Sequence, residues 1–151
     1  MTTKRIYLDV CCLNRPFDNQ SIDRVRLEAE AVVLVLKHIE QGHFFWVSSE
    51  AVNYEVEQNA DAGRKARVGI LMKLSGETIE IEEDTLLRAS DLELLGFGGF
   101  DALHVACAEK AKAEVILTTD DRLVKLGSKF QRRLKTRVLN PLEWIRKEGF
   151  L

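Results

Sequence analysis

The sequence lacks the features that mark membrane proteins, disulfide scaffolds and zinc sites. No apolar run reaches the roughly 18 residues that a membrane span needs, and the short apolar stretch after position 5 does not make a signal peptide. Only three cysteines occur, Cys11, Cys12 and Cys107, and none has the C-x-x-C spacing of a zinc or redox site. We therefore expect a soluble, cytoplasmic protein with reduced thiols and no membrane partner.

A net excess of positive or negative charge is also nearly absent, since 22 lysines and arginines nearly balance 24 acids and the formal net charge is −2. A polyanion would therefore have to be held by a local patch or through a bridging cation. The charge is unevenly distributed: residues 77–93 carry seven acids, and residues 122–137 carry seven bases and no acid. Such segments are commonly solvated faces, and contact of the basic segment with phosphates is the alternative.

Apolar patterning predicts alternating strands and helices in one domain, residues 1–151. Buried strands are predicted at 5–9, 44–48, 78–81 and 115–118. Helices are predicted at 21–40, from 49 through 57, at 64–74, 84–95 and 101–113, with a short one around Trp144. Ser21 and either Ser48 or Ser49 are candidate caps, and Gly42 and Gly96 candidate helix ends. Helical crossovers imply an α/β fold, with helices on both faces of a mainly parallel sheet.

Four acids occupy positions where such a fold binds ligands. Asp9 and Asp120 follow two predicted strands, Glu55 lies in the helix after another strand, and Asp101 opens a helix. Ligands in these folds bind beyond the carboxyl ends of the strands, where the strand order reverses. Taken singly, each acid is explained as well by a turn, a helix cap or a solvent-facing position.

If these acids converge, they need a cation. Two carboxylates about 4 Å apart repel by roughly 4 kcal/mol at an effective dielectric constant of 20. Mg²⁺ and Mn²⁺ prefer oxygen ligands, whereas zinc favours cysteine and histidine at ligand spacing. A bound cation lowers the pKa of a water molecule, neutralises phosphodiester charge, and lets a slightly acidic protein engage RNA.

Four motifs resemble those of the PIN-domain nucleases over residues 5 to about 140. They are Tyr7-Leu-Asp9 with Asn14-Arg-Pro-Phe-Asp18, Ser48-Ser49 before Glu55-Val56, Phe100-Asp101-Ala-Leu-His104-Val-Ala106, and Leu117-Thr118-Thr-Asp120-Asp-Arg-Leu123. The resemblance implies a three-layer α/β/α sandwich and cleavage of single-stranded RNA with Mg²⁺ or Mn²⁺. It also implies a VapC-type toxin with an antitoxin protein as partner, and a homodimer, which is common in the family.

By the same resemblance, Asp9, Glu55, Asp101 and Asp120 are the metal-binding and catalytic acids. Asp9 matches the acid after the first strand, and Glu55 the acid on the following helix. Asp101 matches the acid that opens the D-A-L-H motif, and Asp120 the acid of T-x-D. Thr118 is then expected to support Asp120.

Other residues near these motifs have weaker assignments. Asp121 competes with Asp120 and is ranked lower, with a place in the metal's outer shell still open. Asn14 and Arg15 either reach a substrate phosphate or shape the turn at Pro16. His104, between apolar neighbours, is interpreted as a packed, hydrogen-bonded core histidine and is left out of the site. Cys11 stands where many family members have Ser or Thr, so a supporting hydroxyl is missing.

Two other functions remain open at this point. The alternative to an endoribonuclease is a non-catalytic PIN-like module that binds RNA or a protein, and Cys11 is its main support. A phosphoacceptor receiver domain also places an acid at a strand end. The sequence lacks the lysine that such a domain has after a late strand, which argues against it.

Overall fold

Five parallel strands form the centre of the molecule, in the order β3-β2-β1-β4-β5. The structure is a computed structural model and describes residues 3–150. The strands are β1 (Lys4–Leu8), β2 (Phe44–Ser49), β3 (Glu77–Ile79), β4 (Val115–Leu117) and β5 (Arg137–Leu139). Strand β1 pairs with β2 on one side and with β4 on the other, so the strand order reverses at β1. This reversal opens a crevice at the carboxyl ends of β1 and β4.

Helices connect successive strands of the sheet. Within residues 3–150 they are α1 (Val10–Asn14), α2 (Asp23–Glu40), α3 (Glu50–Glu57), α4 (Ala62–Leu71), α5 (Glu83–Leu94), α6 (Gly99–Lys110), α7 (Asp121–Lys129) and α8 (Pro141–Lys147). Short 3₁₀ turns follow α1, α4 and α7. In this part of the chain, no helix combines the length and apolarity needed to cross a membrane.

The core lies on both faces of the sheet, which confirms the predicted α/β sandwich. Ile6, Tyr7 and Leu8 of β1 are at most 1% exposed. Successive side chains of a strand point to opposite faces, so Tyr7, which contacts His104 of α6, faces one layer while Ile6 and Leu8 face the other. Helices α5 and α6 pack together, as do α2 and α8. The sheet is wholly parallel, rather than mainly so.

Local differences from the predicted elements have identifiable causes. Ser21 does not cap α2, because the helix begins at Asp23 and Ile22 occupies the N-cap position; the Ser21 hydroxyl instead donates to Asn19 Oδ1. Ser49 does cap α3, accepting from the backbone N–H of Val52 at 3.3 Å. Gly42 ends α2 with φ +82°, a left-handed conformation that glycine adopts without strain.

Helix α1 was not predicted, and it shapes the site. It spans only five residues and begins directly after Asp9, whose side chain accepts a hydrogen bond from the backbone N–H of Val10 at 2.8 Å. Five residues are too few to show a helical period. The helix turns the chain sharply away from the sheet, so Asp9 stays at the crevice.

Candidate functional site

A cleft of about 540 Å³ lies at the carboxyl ends of β1 and β4. Its walls come from the start of α1, the end of α3, the start of α6 and the residue before α7. The residues lining it are Asp9, Val10, Cys11, Asn14, Tyr54, Glu55, Gln58, Asn59, Phe100, Asp101 and Asp120. The four acids singled out in the sequence therefore line one cleft, although they lie far apart in the chain.

Asp9 is the most firmly held of these acids. It is 7% exposed, and its backbone N–H continues the β1–β4 pairing by donating to Leu117 O at 2.9 Å. Oδ1 caps α1, and Oδ2 accepts from the hydroxyl of Thr118 at 2.8 Å. These donors compensate for the burial of a carboxylate and fix its orientation toward the cleft.

Thr118 connects two of the acids. Its side chain is buried, and its hydroxyl donates to Asp9 while accepting from the backbone N–H of Asp120 at 3.1 Å. The thiol of Cys11 lies 3.3 Å from the same hydroxyl and 3.4 Å from Asp9 Oδ2. Cys11 thus occupies the place of a supporting hydroxyl and makes the weaker hydrogen bonds of a thiol.

Glu55 is held by a chain of buried polar groups. His104 Nε2 lies 2.6 Å from Glu55 Oε1, and its Nδ1 lies 2.7 Å from the hydroxyl of Tyr7. The Tyr7 hydroxyl lies 2.6 Å from Ser49 Oγ. A carboxylate only accepts, so Nε2 carries the proton in this contact. This series of hydrogen-bonded side chains runs from the end of β2 through β1 and α6 to α3, and it orients Glu55.

His104 belongs to the site as well as to the core. It is fully buried and hydrogen-bonded, as predicted, and its Nε2 also lies 3.9 Å from Asp9 Oδ1. Burial lowers its pKa, but the hydrogen bond to Glu55 and the charges of Asp9, Glu55 and Asp101 outweigh burial and raise it. One ligand atom each from Asp9, Glu55 and His104 lies within 4.8 Å of the others. Sequence reasoning missed this contact because His104 and Glu55 are 49 residues apart.

Asp101 shows the effect of crowded negative charge in the cleft. Its pKa is raised from 3.8 to about 6, first by burial and then by the charges of Asp9 and Asp120. Its side chain has no hydrogen-bond donor among residues 3–150, so the charge of this carboxylate is poorly compensated. A cation placed among these acids would relieve that repulsion.

Asp120 combines two of the predicted roles. Its Oδ1 accepts from the backbone N–H groups of Arg122 and Leu123 and caps α7, while the residue also lines the cleft. Asp121 points elsewhere: both carboxylate oxygens accept from Arg24, at 2.6 and 2.8 Å, and this pairing lowers its pKa. Asp121 is not among the residues that line the cleft.

Asn14 and Arg15 have different surroundings. Asn14 lines the cleft, and its buried Oδ1 has no hydrogen-bond partner in the part of the chain that the structure describes. Arg15 points away from the cleft and pairs with Asp18 and with Glu28, which is only 2% exposed. Arg15 therefore stabilises the turn between α1 and α2, and Asn14 stays available to a ligand.

The basic segment of the sequence lies on the surface beside Asp120. Arg122, Lys125 and Lys129 are exposed on α7, and no acid within 4.0 Å pairs with them among the described residues. The acidic segment is partly neutralised, because Lys110 binds Glu82 and Asp84. The charge asymmetry of the sequence thus leaves three bases without an acidic partner, among the described residues, on the helix that follows Asp120.

Oxygen donors dominate the cleft, and this chemistry suits a hard divalent cation. Carboxylates supply the ligands, while Cys11 is a thiol engaged by Thr118 and by the backbone N–H of Thr119. A cation among Asp9, Glu55, Asp101 and Asp120 would offset their mutual repulsion, and Mg²⁺ or Mn²⁺ commonly takes such ligands with substrate phosphate. The residues present therefore fit a Mg²⁺ or Mn²⁺ site.

Comparison with known proteins gives a family for this chain. Residues 6–129 match the PIN-domain family model. The chain is similar to a chain in the crystal structure of VapBC2 from Rickettsia felis bound to a promoter DNA fragment, with 18% identity, a TM-score of 0.55, and coverage of 90% of this chain and 98% of that one.

A second similar structure is that of FitAB bound to the IR36 DNA fragment, with 18% identity, a TM-score of 0.57, and coverage of 91% of this chain and 95% of that one. At this identity the two likenesses establish the fold. A search of curated proteins finds no match. The family model spans most of the sequence, including all four acids that line the cleft, and the chain belongs to the PIN-domain family.

Proposed function

We propose that this chain is a metal-dependent endoribonuclease that cleaves single-stranded RNA, with Asp9, Glu55, Asp101 and Asp120 as its metal-binding and catalytic residues. One observation carries the proposal: four acids line one cleft, where burial and then the charges of the other acids raise the pKa of Asp101 to about 6. A protein that held these acids together without a cation would lose stability at neutral pH without any compensating function.

The ligand cation proposed is Mg²⁺ or Mn²⁺. When bound, it lowers the pKa of a water molecule and neutralises charge that develops on the phosphodiester. The chain itself keeps the ligands in place: Thr118 and the start of α1 hold Asp9, and His104 holds Glu55. Asn14, whose Oδ1 has no partner among residues 3–150, is proposed to contact the substrate. Such preorganisation contributes to catalysis by fixing reacting groups before the reaction.

Adjacent acids provide a matched experiment for this proposal. Asp120→Asn removes a charge from the cleft, whereas Asp121→Asn removes the charge of a side chain that is 62% exposed and paired with Arg24. We expect purified protein to cut a single-stranded RNA in Mn²⁺ and to lose activity in EDTA. Asp9→Asn, Asp101→Asn and Asp120→Asn should each reduce the cleavage rate at least about 100-fold, the size of loss that follows removal of one preorganised group that stabilises a transition state. Asp121→Asn should stay near the wild-type rate.

Two results would count against the proposal. Cleavage that survives in Asp9→Asn and Asp101→Asn would locate the activity elsewhere or in a contaminant. Intact RNA binding without turnover in Mg²⁺ or Mn²⁺ would favour a non-catalytic PIN-like module. Calorimetric titration with Mn²⁺ separates these cases, because a module without chemistry has no need to keep four acids coordinated.

The proposed biological setting is a toxin–antitoxin pair that acts in the cytoplasm. Support comes from the similarity to chains of VapBC2 and FitAB, two complexes bound to DNA. This chain would be the RNA-cleaving member, would bind an antitoxin protein and would form a homodimer. Light scattering tests the dimer. Expression of the wild-type chain in cells tests the toxic activity: growth should stop, and Asp101→Asn should abolish this arrest. Expression without any effect on growth or cellular RNA would contradict the toxin assignment.

A further inference from the structure

Two aromatic side chains lie at the edge of the acidic cleft. Tyr54 of α3 and Phe100 of α6 both line it, and their rings are nearly parallel, with centroids 5.8 Å apart and planes 16° from each other. Tyr54 is 56% exposed and Phe100 43% exposed. Each precedes one acid of the cleft in the chain, Glu55 and Asp101, so the helices that present the acids also present the rings.

Their exposure is not explained by the fold. Exposed aromatic rings forgo the burial by which such side chains stabilise a core. Leu86 and Leu87 of α5 are exposed apolar residues too, but they do not line the cleft. The two rings, in contrast, stand beside the acids that crowd together there, and Phe100 also lies 6.0 Å from the ring of His104. At this position the two rings would contact a ligand bound in the cleft.

We propose that Tyr54 and Phe100 form a stacking platform for an unpaired base next to the phosphate that is cleaved. The proposal rests on the proposed cleavage of single-stranded RNA. Every base has a π-face, and single-stranded RNA is commonly bound by stacking its splayed bases on aromatic side chains. Gln58, Asn59 and Asn14 line the same cleft, and their amides can hydrogen-bond to the edge of a stacked base.

The composition of the cleft favours a nucleotide over a protein segment as the occupant. Apart from the two rings, the lining is mainly carboxylates and amides, and a cation held by the acids would attract a phosphate. The base of a nucleotide whose phosphate lay at the acids would then reach the adjacent rings. Rings and acids thus match the two parts of one nucleotide.

Binding of a fluorescein-labelled single-stranded RNA tests the platform directly. The Asp101→Asn background prevents turnover, and fluorescence anisotropy gives the dissociation constant. Tyr54→Ala or Phe100→Ala should weaken binding between about fivefold and a hundredfold, the range for removing one base–aromatic stack. Tyr54→Phe, which keeps the ring, should bind like the parent. Leu87→Ala, which removes a side chain that is 63% exposed outside the cleft, is the matched control and should have no effect.

An abasic substitution makes the test specific to stacking. An RNA that lacks one base beside the cleavage position should bind the parent protein at least as weakly as the intact RNA binds Tyr54→Ala. The two changes together should give no further loss, since both remove the same contact. Additive losses would mean that the ring and the base act separately, which overturns the proposal. Mn²⁺ titration should show an unchanged metal affinity in Tyr54→Ala and Phe100→Ala.

The outcomes separate this inference from the proposed function. If the wild-type protein cuts RNA and both alanine changes leave RNA binding within twofold in the Asp101→Asn background and cleavage within twofold in the wild-type background, the platform is refuted and the nuclease stands. If the wild-type protein neither binds nor cuts RNA, both fail. If the alanine variants change the mass measured by light scattering but not RNA binding, the rings belong to a protein interface, and the platform is wrong.

Discussion

Replacing Asp101 with asparagine should stabilise the metal-free protein. The Asp101 carboxyl is partly buried, and burial, followed by the charges of Asp9 and Asp120, raises its pKa to about 6. An asparagine side chain has nearly the same shape as aspartate and carries no charge. No hydrogen bond from a described residue is lost, because none reaches the Asp101 side chain. The variant therefore removes the cost of burying the charge and its repulsion by the other acids, which together outweigh the attraction to His104 that is also lost.

The size and the sign of this stabilisation follow from the link between proton binding and folding. An acid whose pKa is higher in the folded than in the unfolded protein binds more protons when folded, between pH 3.8 and about 6. The cost of holding the charged carboxylate in the folded protein is absent below this pH window and complete above it. The free energy of unfolding therefore falls as the pH rises through the window. The full shift corresponds to about 3 kcal/mol, and partial solvation reduces it to about 1–2 kcal/mol.

Thermal unfolding of the two proteins in EDTA provides the assay. At pH 7.5, Asp101→Asn should unfold about 2–8 °C above the wild type, and the difference should shrink as the pH falls toward 4. Excess Mn²⁺ should stabilise the wild type more than the variant, because the variant lacks one ligand. Asp121→Asn is the control with the opposite sign, since Arg24 lowers the pKa of Asp121. If Asp101→Asn is no more stable than the wild type at pH 7.5, crowding of charge in the cleft is refuted.

Three further changes test other contacts. His104→Ala should lower the free energy of unfolding by about 2–4 kcal/mol, because it leaves a cavity and unpaired buried groups; a loss below about 1 kcal/mol in urea titration would contradict this. Cys11→Ser supplies a stronger donor to Asp9, and calorimetry should show tighter Mn²⁺ binding, whereas weaker binding would argue against that contact. Gly127→Ala should lower the free energy of unfolding by about 1–3 kcal/mol, because the added Cβ would lie 2.5 Å from a β5 side chain. The control Gly69→Ala places its Cβ where nothing lies within 4 Å, so it should be neutral or stabilising in the same urea titration.

The sheet and the converging acids could be predicted from the sequence for simple physical reasons. Strands buried on both faces, such as β4, appear as continuous apolar runs. Helices between them require parallel pairing, and parallel strands bring their carboxyl ends to one edge. Asp9 and Asp120 follow such ends, so the sequence predicts that they are neighbours. The family match over residues 6–129 confirms the resemblance that the motifs indicated.

The contacts between side chains could not be predicted, since they depend on packing between distant elements. The neighbours of His104 in the sequence indicate burial, but its contact with Glu55 arises only when α6 lies against α3. The preference for Asp120 over Asp121 gains its physical reason only when Arg24, nearly 100 residues earlier, is seen to bind Asp121. Capping by Ser21 was wrong for a local reason, because α2 begins two residues later, with Ile22 at the N-cap position.

The hydrogen bond from Thr118 to Asp9 joins residues 109 positions apart. It therefore determines when during synthesis the site can exist. A ribosome that has made α1, α3 and α6 has produced three of the four acids, but Asp9 lacks its partner until β4 emerges and pairs with β1. Under the proposed function, the nascent chain therefore gains its cleavage activity only after the segment that carries Thr118 and Asp120 has been made, late in its synthesis.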